Sequence, residues 1–387
     1  MIVVLLVNVY SGIESQKWLI VGGGLAGFLV AREALNCGVK VTICDPFPGR
    51  NAPPAGVLHP YPGRRFVQSI FEVEAFAQAQ RVYSDLARNE CVKVKRSLPV
   101  VRPTEGQASK TIQHSEDKFD RKYLNQTEVE GLWPEFNAPH GAITYNSGMV
   151  IDVGALVKTL VLQSAGAGAQ IIPFLAESLE KRGNGWYAHG DFGEVGPFSA
   201  VVCAVGSEHN SLLNCKAASR NFGSLALYSD DELDDEFQVI VSSRGHFAPL
   251  PGGGYVIGST YIHLDDVGAV PVWRETSEAE HLAGIRNRLL RYQHLGEAGM
   301  QLWHGSRATV PQDKQPIVGL LSSKADGGLW MIGGLASRGL FWAPWLATTL
   351  VGAMLGKSAK SLPTVFAPER LKGFDRGRFE DRSVVLR

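Results

Sequence analysis

Gly22, Gly24 and Gly27 make a G-x-G-x-x-G, and Asp45 stands eighteen residues beyond the last of them. Glycines at that spacing allow a tight turn, a close approach of backbone to a pyrophosphate, and close packing of a helix on a strand. Leu25 and Ala26, inside the motif, open the helix whose free N–H groups and dipole favour phosphate. A carboxylate at the position of Asp45 can accept both ribose hydroxyls of an adenosine half. A charge-assisted hydrogen bond of that kind contributes roughly 1.5–3 kcal/mol. The competing reading of Asp45 is a cap for the loop that follows. The chemistry these residues offer is dinucleotide binding.

That chemistry needs a strand before the glycines, a helix after them and a second strand ending on the acid. Trp18-Leu19-Ile20-Val21 is a short apolar run of the kind buried in a parallel sheet. Leu25, Phe28, Leu29, Ala31 and Leu35 give the next segment one apolar helical face, and Asn36-Cys37-Gly38 supplies its stop. Val39 to Cys44 returns as a strand. With 43 glycines in the chain a lone hexapeptide would be weak evidence. The ordered unit from Lys17 to Asp45 is far more specific.

The chain has 387 residues, 45% of them hydrophobic, which is enough for a large core and suggests two lobes. Its 38 basic and 38 acidic residues balance, so no overall field steers it to nucleic acid or anionic lipid. Five cysteines without metal-ligand spacing point to reduced thiols, a cytoplasmic protein and no metal site. Met1 to Tyr10 is apolar but lacks a basic flank and is too short to span a bilayer, so residues 1–14 are expected to be an extra leader from an upstream start codon, or a frayed strand, in preference to an export signal. No other segment reaches eighteen apolar residues, and no membrane span is expected.

Further along, the stiff loop Pro46 to Pro54 runs into Ala55-Gly56-Val57-Leu58, small residues that let backbone approach a ligand. A long helix is predicted over Gln68 to Asn89 with Phe71, Phe76, Val82, Tyr83 and Leu86 on its buried side. Val201 to Gly206 is a buried strand ending on glycine, which makes Ala204 and Gly206 another place for backbone to meet a cofactor. A helix from Glu278 to Tyr292 and another from about Leu340 to Leu355 are expected. The last stretch reads as a solvated tail.

The order of these segments resembles the FAD-dependent D-amino-acid-oxidase-like family, whose members include glycine and sarcosine oxidases. The resemblance is carried by Gly22 to Asp45, Ala55 to Leu58, Val201 to Gly206, Gly305-Ser306-Arg307 with Asp313 and Pro316, and Gly334 to Pro344. Ser337-Arg338-Gly339-Leu340 and Gly258-Ser259-Thr260-Tyr261 look most like one subgroup, the FAD-containing C-terminal half of the bifunctional tRNA wobble-uridine enzyme of MnmC type. Two departures are visible. Only sixteen residues precede the first strand, so the methyltransferase half of that enzyme is expected to be absent. The interval from Arg307 to Asp313 is also one residue longer than the family's usual spacing.

The resemblance implies an α/β fold: a Rossmann-like FAD-binding domain with a parallel sheet, plus a smaller α+β substrate domain with an antiparallel sheet. The FAD-binding domain is expected over 15–90, 145–220 and 300–370, the substrate domain over 91–144 and 221–299, and a C-terminal tail over 371–387. It implies FAD as cofactor and oxidation of the C–N bond of an amino acid or N-substituted glycine by hydride transfer to flavin. Oxygen or a partner protein would reoxidise the flavin. A stand-alone enzyme removing a carboxymethyl group from a wobble uridine of tRNA is the alternative, and a flavin-binding subunit without turnover is a third reading.

The cofactor-binding set is then Gly22, Gly24, Leu25, Ala26, Gly27, Asp45, Ala55, Gly56, Val57, Ala204, Gly206, Gly305, Gly334, Ser337, Arg338, Gly339 and Leu340. Arg307 sits where the family places its carboxylate-binding arginine, and its planar fork suits bidentate recognition; a structural ion pair is the alternative. Arg338 could face flavin or substrate, or form a surface salt bridge. Tyr261 could cover the substrate, or pack as aromatics commonly do. His59 could lie near the flavin ring, or be a hydrogen-bonded structural residue. Asp313 is expected to fix the loop that follows Arg307, and Trp342 and Trp345 to pack.

Overall fold

The computed structural model describes residues 16–61, 71–89, 91–104, 119, 121–208, 219–229, 238–263, 275–291, 300–322, 327–356, 362–379 and 383–386. The expected leader, Cys215 and Tyr292 lie outside those residues. By its contacts the chain divides into two compact units, one of residues 1–52, 157–220 and 307–387, the other of 53–156 and 221–306.

The first unit holds a six-stranded sheet in the order Ile317–Leu320, Leu329–Gly333, Ala200–Cys203, Lys17–Val21, Lys40–Cys44, Gln170–Ile172. Every pair is parallel except the first. Leu19, Ile20, Val201, Val202, Leu329 and Met331 are fully buried, which is why these strands read as unbroken apolar runs instead of alternating ones. The helix Leu25–Asn36 follows the first strand and packs on the helix Gly339–Met354. Gly38, at φ +83°, ends the former where only glycine turns without strain. Trp342 is fully buried and edges onto Phe341, Trp345 and Phe366, the packing role expected of it.

A second, four-stranded antiparallel sheet belongs to the same unit. It contains the hairpin Ser178–Arg182 with Gly185–Gly190, and its edge is the strand Ser383–Val385. The C-terminal stretch is therefore not a solvated tail. Leu371, Phe379, Val384 and Leu386 are buried among Leu179, Trp186 and Phe198. The apolar residues are sparse among many charges, yet these four are core contacts, while Val385 faces outward from the edge strand.

The second unit is built on a ten-stranded sheet, largely antiparallel, in which Ile240–Ser243 runs parallel to Val94–Pro103. Alternate residues of its strands point to opposite faces. Leu98, Val100, Tyr145, Ile240, Ala248 and Val256 gather on one face with Ala55 and Tyr61. Val101, Val241, Phe247 and Ile257 gather on the other, under Leu282, Ile285 and Leu289 of the helix Glu275–Leu289.

Two expectations are corrected here. Residues 53–90, 145–156 and 300–306 belong to the second unit, because Gly56–Leu58 pairs with Met149–Ile151, Ala142–Ile151 pairs along Val94–Pro103, and Met300–Thr309 pairs with Ser219–Tyr228. The helix expected over 68–89 is Glu72–Leu86 followed by a 3-10 turn at Ala87–Asn89; residues 68–70 lie outside the described set, and Phe71 is its half-buried N-cap.

Candidate functional site

The carboxyl ends of the parallel strands in the first unit bring Gly22, Asp45, Ala204 and Gly334 to one edge of the sheet. The chain leaves Lys17–Val21 toward Lys40–Cys44 on one side, while Ala200–Cys203 lies on the other. That reversal is the crevice where open α/β sheets bind ligands. A Cβ on Gly22, which has φ +108°, would meet the Ala204 carbonyl oxygen at 2.4 Å, and one on Gly27 would meet the Gly22 carbonyl oxygen at 2.0 Å. A Cβ on Gly24 would meet nothing within 4 Å. Two glycines are thus needed for packing, and the third leaves open space.

Gly24 is the N-cap of the helix and makes no side-chain cap bond, and the first turn carries no acidic residue. The first intrahelical bond runs from the Phe28 amide to the Gly24 carbonyl at 3.0 Å, so the Leu25, Ala26 and Gly27 amides begin the helix as donors outside its ladder. Donors, dipole and open space fit the pyrophosphate of a dinucleotide.

Asp45 is already engaged by its own surroundings. Its Oδ2 accepts from the Gly23 amide and its Oδ1 from the Phe47 amide, each at 2.7 Å. A carboxylate keeps further lone pairs beyond two such bonds, so holding the turn and meeting a ribose are compatible. Both readings of Asp45 therefore have a physical basis. Asp45→Ala is expected to lower the stability of the apoprotein by about 1 kcal/mol, chiefly through the part-buried Gly23 amide left without its acceptor while the exposed Phe47 amide turns to water, as well as weakening cofactor binding. Equal denaturant midpoints for the two apoproteins would show that the turn does not depend on the carboxylate.

The other first-unit residues divide by environment. Ala204 is buried, its amide donating to the Val21 carbonyl at 2.8 Å, and Gly206 has φ +60° with nothing within 4 Å of a would-be Cβ. Gly334, at φ +64°, would press a Cβ to 3.1 Å from Val310. Ser337 is exposed; Gly339 and Leu340 open the last long helix behind Arg338 as its N-cap. The Arg338 guanidinium donates to the Lys314 carbonyl and lies 5.8 Å from the Trp342 ring centroid. Arg307 is half-buried on the strand Met300–Thr309. Asp313 is bound by Arg370, whose Nε donates to Oδ2 at 2.8 Å and whose Nη2 donates to the Gln315 carbonyl at 2.9 Å. The turn is thus fixed from a partner 57 positions away.

In the second unit, Ala55 is buried, and Gly56 and Val57 form an edge strand opposite Ile151 and Val150. A Cβ on Gly305 would meet the Trp303 ring at 2.1 Å. Tyr261 is 57% exposed. Thr260 beside it is anchored, its hydroxyl donating to Glu278 and accepting from the Ser224 amide, both at 2.8 Å.

His59 is buried in a polar group that sequence reading did not assemble. The Tyr145 hydroxyl is 3.1 Å from Nδ1, and the Ser242 hydroxyl 3.4 Å from Nε2. Arg102, also buried, donates to the Tyr61 carbonyl at 2.8 Å, and Tyr145 is among the groups that act on its guanidinium. The available signal was phase: Arg102 continues the inward series of Leu98 and Val100. Burial, and then the charges of Arg102 and His246, hold the imidazole well below its ordinary range. The group is neutral when folded and has a higher pKa when unfolded, so the unfolded chain binds the proton first. Stability contributed by His59 is full above about pH 6.5 and falls as pH drops below it, by at most about 1.4 kcal/mol per pH unit. Urea midpoints at pH 7.5 and 5.5 should differ more for wild type than for His59→Gln; an equal difference would assign the acid sensitivity elsewhere.

Cys37, Cys44, Cys91 and Cys203 are free thiols, and burial pushes Cys44 up to about 12. No cluster of three or more metal-ligating side chains occurs among the described residues, and no described helix is long and apolar enough to cross a membrane.

Residues 17–352 match the DAO family of FAD dependent oxidoreductases, and the chain belongs to that family. It is an FAD-dependent oxidoreductase, and the glycine cradle fits that cofactor. Among curated proteins it is 26% identical over 385 residues to the tRNA 5-methylaminomethyl-2-thiouridine biosynthesis bifunctional protein MnmC of Thiobacillus denitrificans, covering 93% of this chain and 59% of that protein. The protein of the same name from Caulobacter vibrioides is 25% identical, with 87% and 54% covered. The chain therefore spans little more than half the length of these relatives. Among solved structures, glycine oxidase from Geobacillus kaustophilus superposes with a TM-score of 0.75 at 18% identity, covering 91% of this chain and 98% of that one. Iminodiacetate oxidase from Chelativorans gives 0.70 at 18% identity, with 91% and 98% covered.

Proposed function

We propose that the protein oxidises the C–N bond of an amino acid or N-substituted glycine-type amine. When bound, FAD supplies the hydride acceptor, and the protein's part is to bind and orient. The reading is carried by the family match over residues 17–352, joined to a glycine cradle at the carboxyl ends of the parallel strands. The names of glycine oxidase and iminodiacetate oxidase, similar in fold, support choosing an amine that bears a carboxylate. In this reading Arg307 pairs with the substrate carboxylate, Tyr261 covers the substrate, and His59 supports the site as a neutral imidazole. Gly22, Gly24, Leu25, Ala26 and Gly27 hold the pyrophosphate and Asp45 the ribose.

A second reading is favoured by the curated relatives, whose names place them in tRNA 5-methylaminomethyl-2-thiouridine biosynthesis. In it the oxidised unit is a carboxymethylaminomethyl group on a wobble uridine of tRNA. Balanced charge favours the small substrate, since phosphate contacts dominate affinity for nucleic acid.

Anaerobic titration of the FAD-loaded protein with a panel of amino acids, sarcosine, iminodiacetate and modified tRNA separates them. Bleaching of the flavin by a small amine supports the first reading and bleaching by tRNA alone the second. No bleaching by any of these sinks both. Admitting oxygen to the reduced protein then distinguishes direct reoxidation from reoxidation through a partner.

A further inference from the structure

We propose that Arg102, Tyr145, His59 and Ser242 form a one-directional donor chain that presents the Ser242 hydroxyl proton to a carboxylate oxygen of a ligand. The inference rests on the amine-acid reading above for the class of ligand.

The direction follows from which groups can only donate. A guanidinium has five N–H donors and no acceptor, so toward the buried Arg102, on which Tyr145 acts, the phenol can present only its oxygen. The phenol proton is then directed away from the guanidinium, and His59 Nδ1 lies 3.1 Å from the hydroxyl. Nδ1 then accepts, which in a neutral imidazole puts the ring proton on Nε2. Burial keeps His59 neutral, as that assignment requires. Nε2–H points at the Ser242 oxygen, 3.4 Å away, and that oxygen accepts. The serine proton is thereby turned outward.

Three observations favour an anionic acceptor. The chain starts on a buried cation and each bond polarises the next in the same sense, so its free end is the positive end. None of the four members carries a negative charge. Arg102, Tyr145 and His59 are buried, whereas Ser242 is half-buried, as is His246 directly opposite it in the sheet. The root of the chain is thus held in the core and its tip is reachable. Ser243, the next residue, faces the other way across the strand and pairs with Gly245.

The test uses FAD-loaded protein labelled with 15N-histidine, with His59 assigned by its loss in His59→Gln. The expected spectrum shows His59 bare at Nδ1 and protonated at Nε2, and Tyr145→Phe should abolish that fixed pattern. A proton on Nδ1 in the wild type would overturn the chain. Acetate should then shift the His59 Nε2 signal while acetamide does so far more weakly. The acetate Kd should rise about tenfold in Ser242→Ala, the effect of one lost charge-assisted bond, and stay near the wild-type value in Ser243→Ala. No acetate-dependent shift in the wild type, or an unchanged Kd in Ser242→Ala, would refute the proposal. Failure of the substrate reading shows separately, as a flavin that no amine bleaches, and leaves the tautomer and acetate results standing.

Discussion

Gly27→Val should purify without flavin. The missing side chain at Gly27 is the condition for its helix to lie against the preceding turn: a Cβ there would sit 2.0 Å from the Gly22 carbonyl oxygen and 3.4 Å from Ile20 Cγ2. The nearer contact is backbone of the turn itself, so relief requires the helix to move. Moving it displaces the Leu25 and Ala26 amides that would meet the pyrophosphate. Overpacking of this kind costs about 1–3 kcal/mol and sometimes more, so the apoprotein should also unfold at lower denaturant. Gly24→Ala is the informative contrast. Nothing lies within 4 Å of its would-be Cβ, and its φ of −91° and ψ of −174° suit any residue. The apoprotein should keep nearly wild-type stability while FAD affinity falls, because the added methyl occupies space left for phosphate. Retention of FAD by Gly27→Val at wild-type affinity would remove this loop from the cofactor site.

Arg307→Leu should separate orientation from chemistry. A half-buried guanidinium paired with a substrate carboxylate is worth about 1.5–3 kcal/mol, so kcat/KM for a carboxylate-bearing amine should fall about tenfold to a hundredfold. Arg307→Lys should recover part of this, since a point charge lacks the planar fork. An amine without a carboxylate should be oxidised about equally by wild type and Arg307→Leu, and both variants should hold FAD. Equal loss on the two substrates, or loss of the flavin, would reassign Arg307 to supporting the strand Met300–Thr309. Asp313 does not confuse the outcome, because its bidentate partner is Arg370.

The dinucleotide cradle was legible from sequence because strand, turn, helix and second strand are contiguous, and each glycine answers a local need of the next few residues. The Gly22–Ala204 contact completes it from a distant strand, but the motif alone implies that something must pack there. Asp45 was legible as an acid at a strand end, and the same short range provided its second role, with the Gly23 and Phe47 amides as donors. The order of motifs carried the family and with it the flavin. What only the tertiary structure decided is long-range pairing. Gly56–Leu58 joins the second unit through Met149–Ile151, Asp313 meets Arg370, and the C-terminal strand closes on Leu179. His59, Tyr145 and Ser242 become neighbours only because two separate strands and the segment after an edge strand meet on one sheet face. Periodicity says which face of a strand is inward, but the partner of that face is set by register between segments tens to hundreds of residues apart, and no local spacing encodes it.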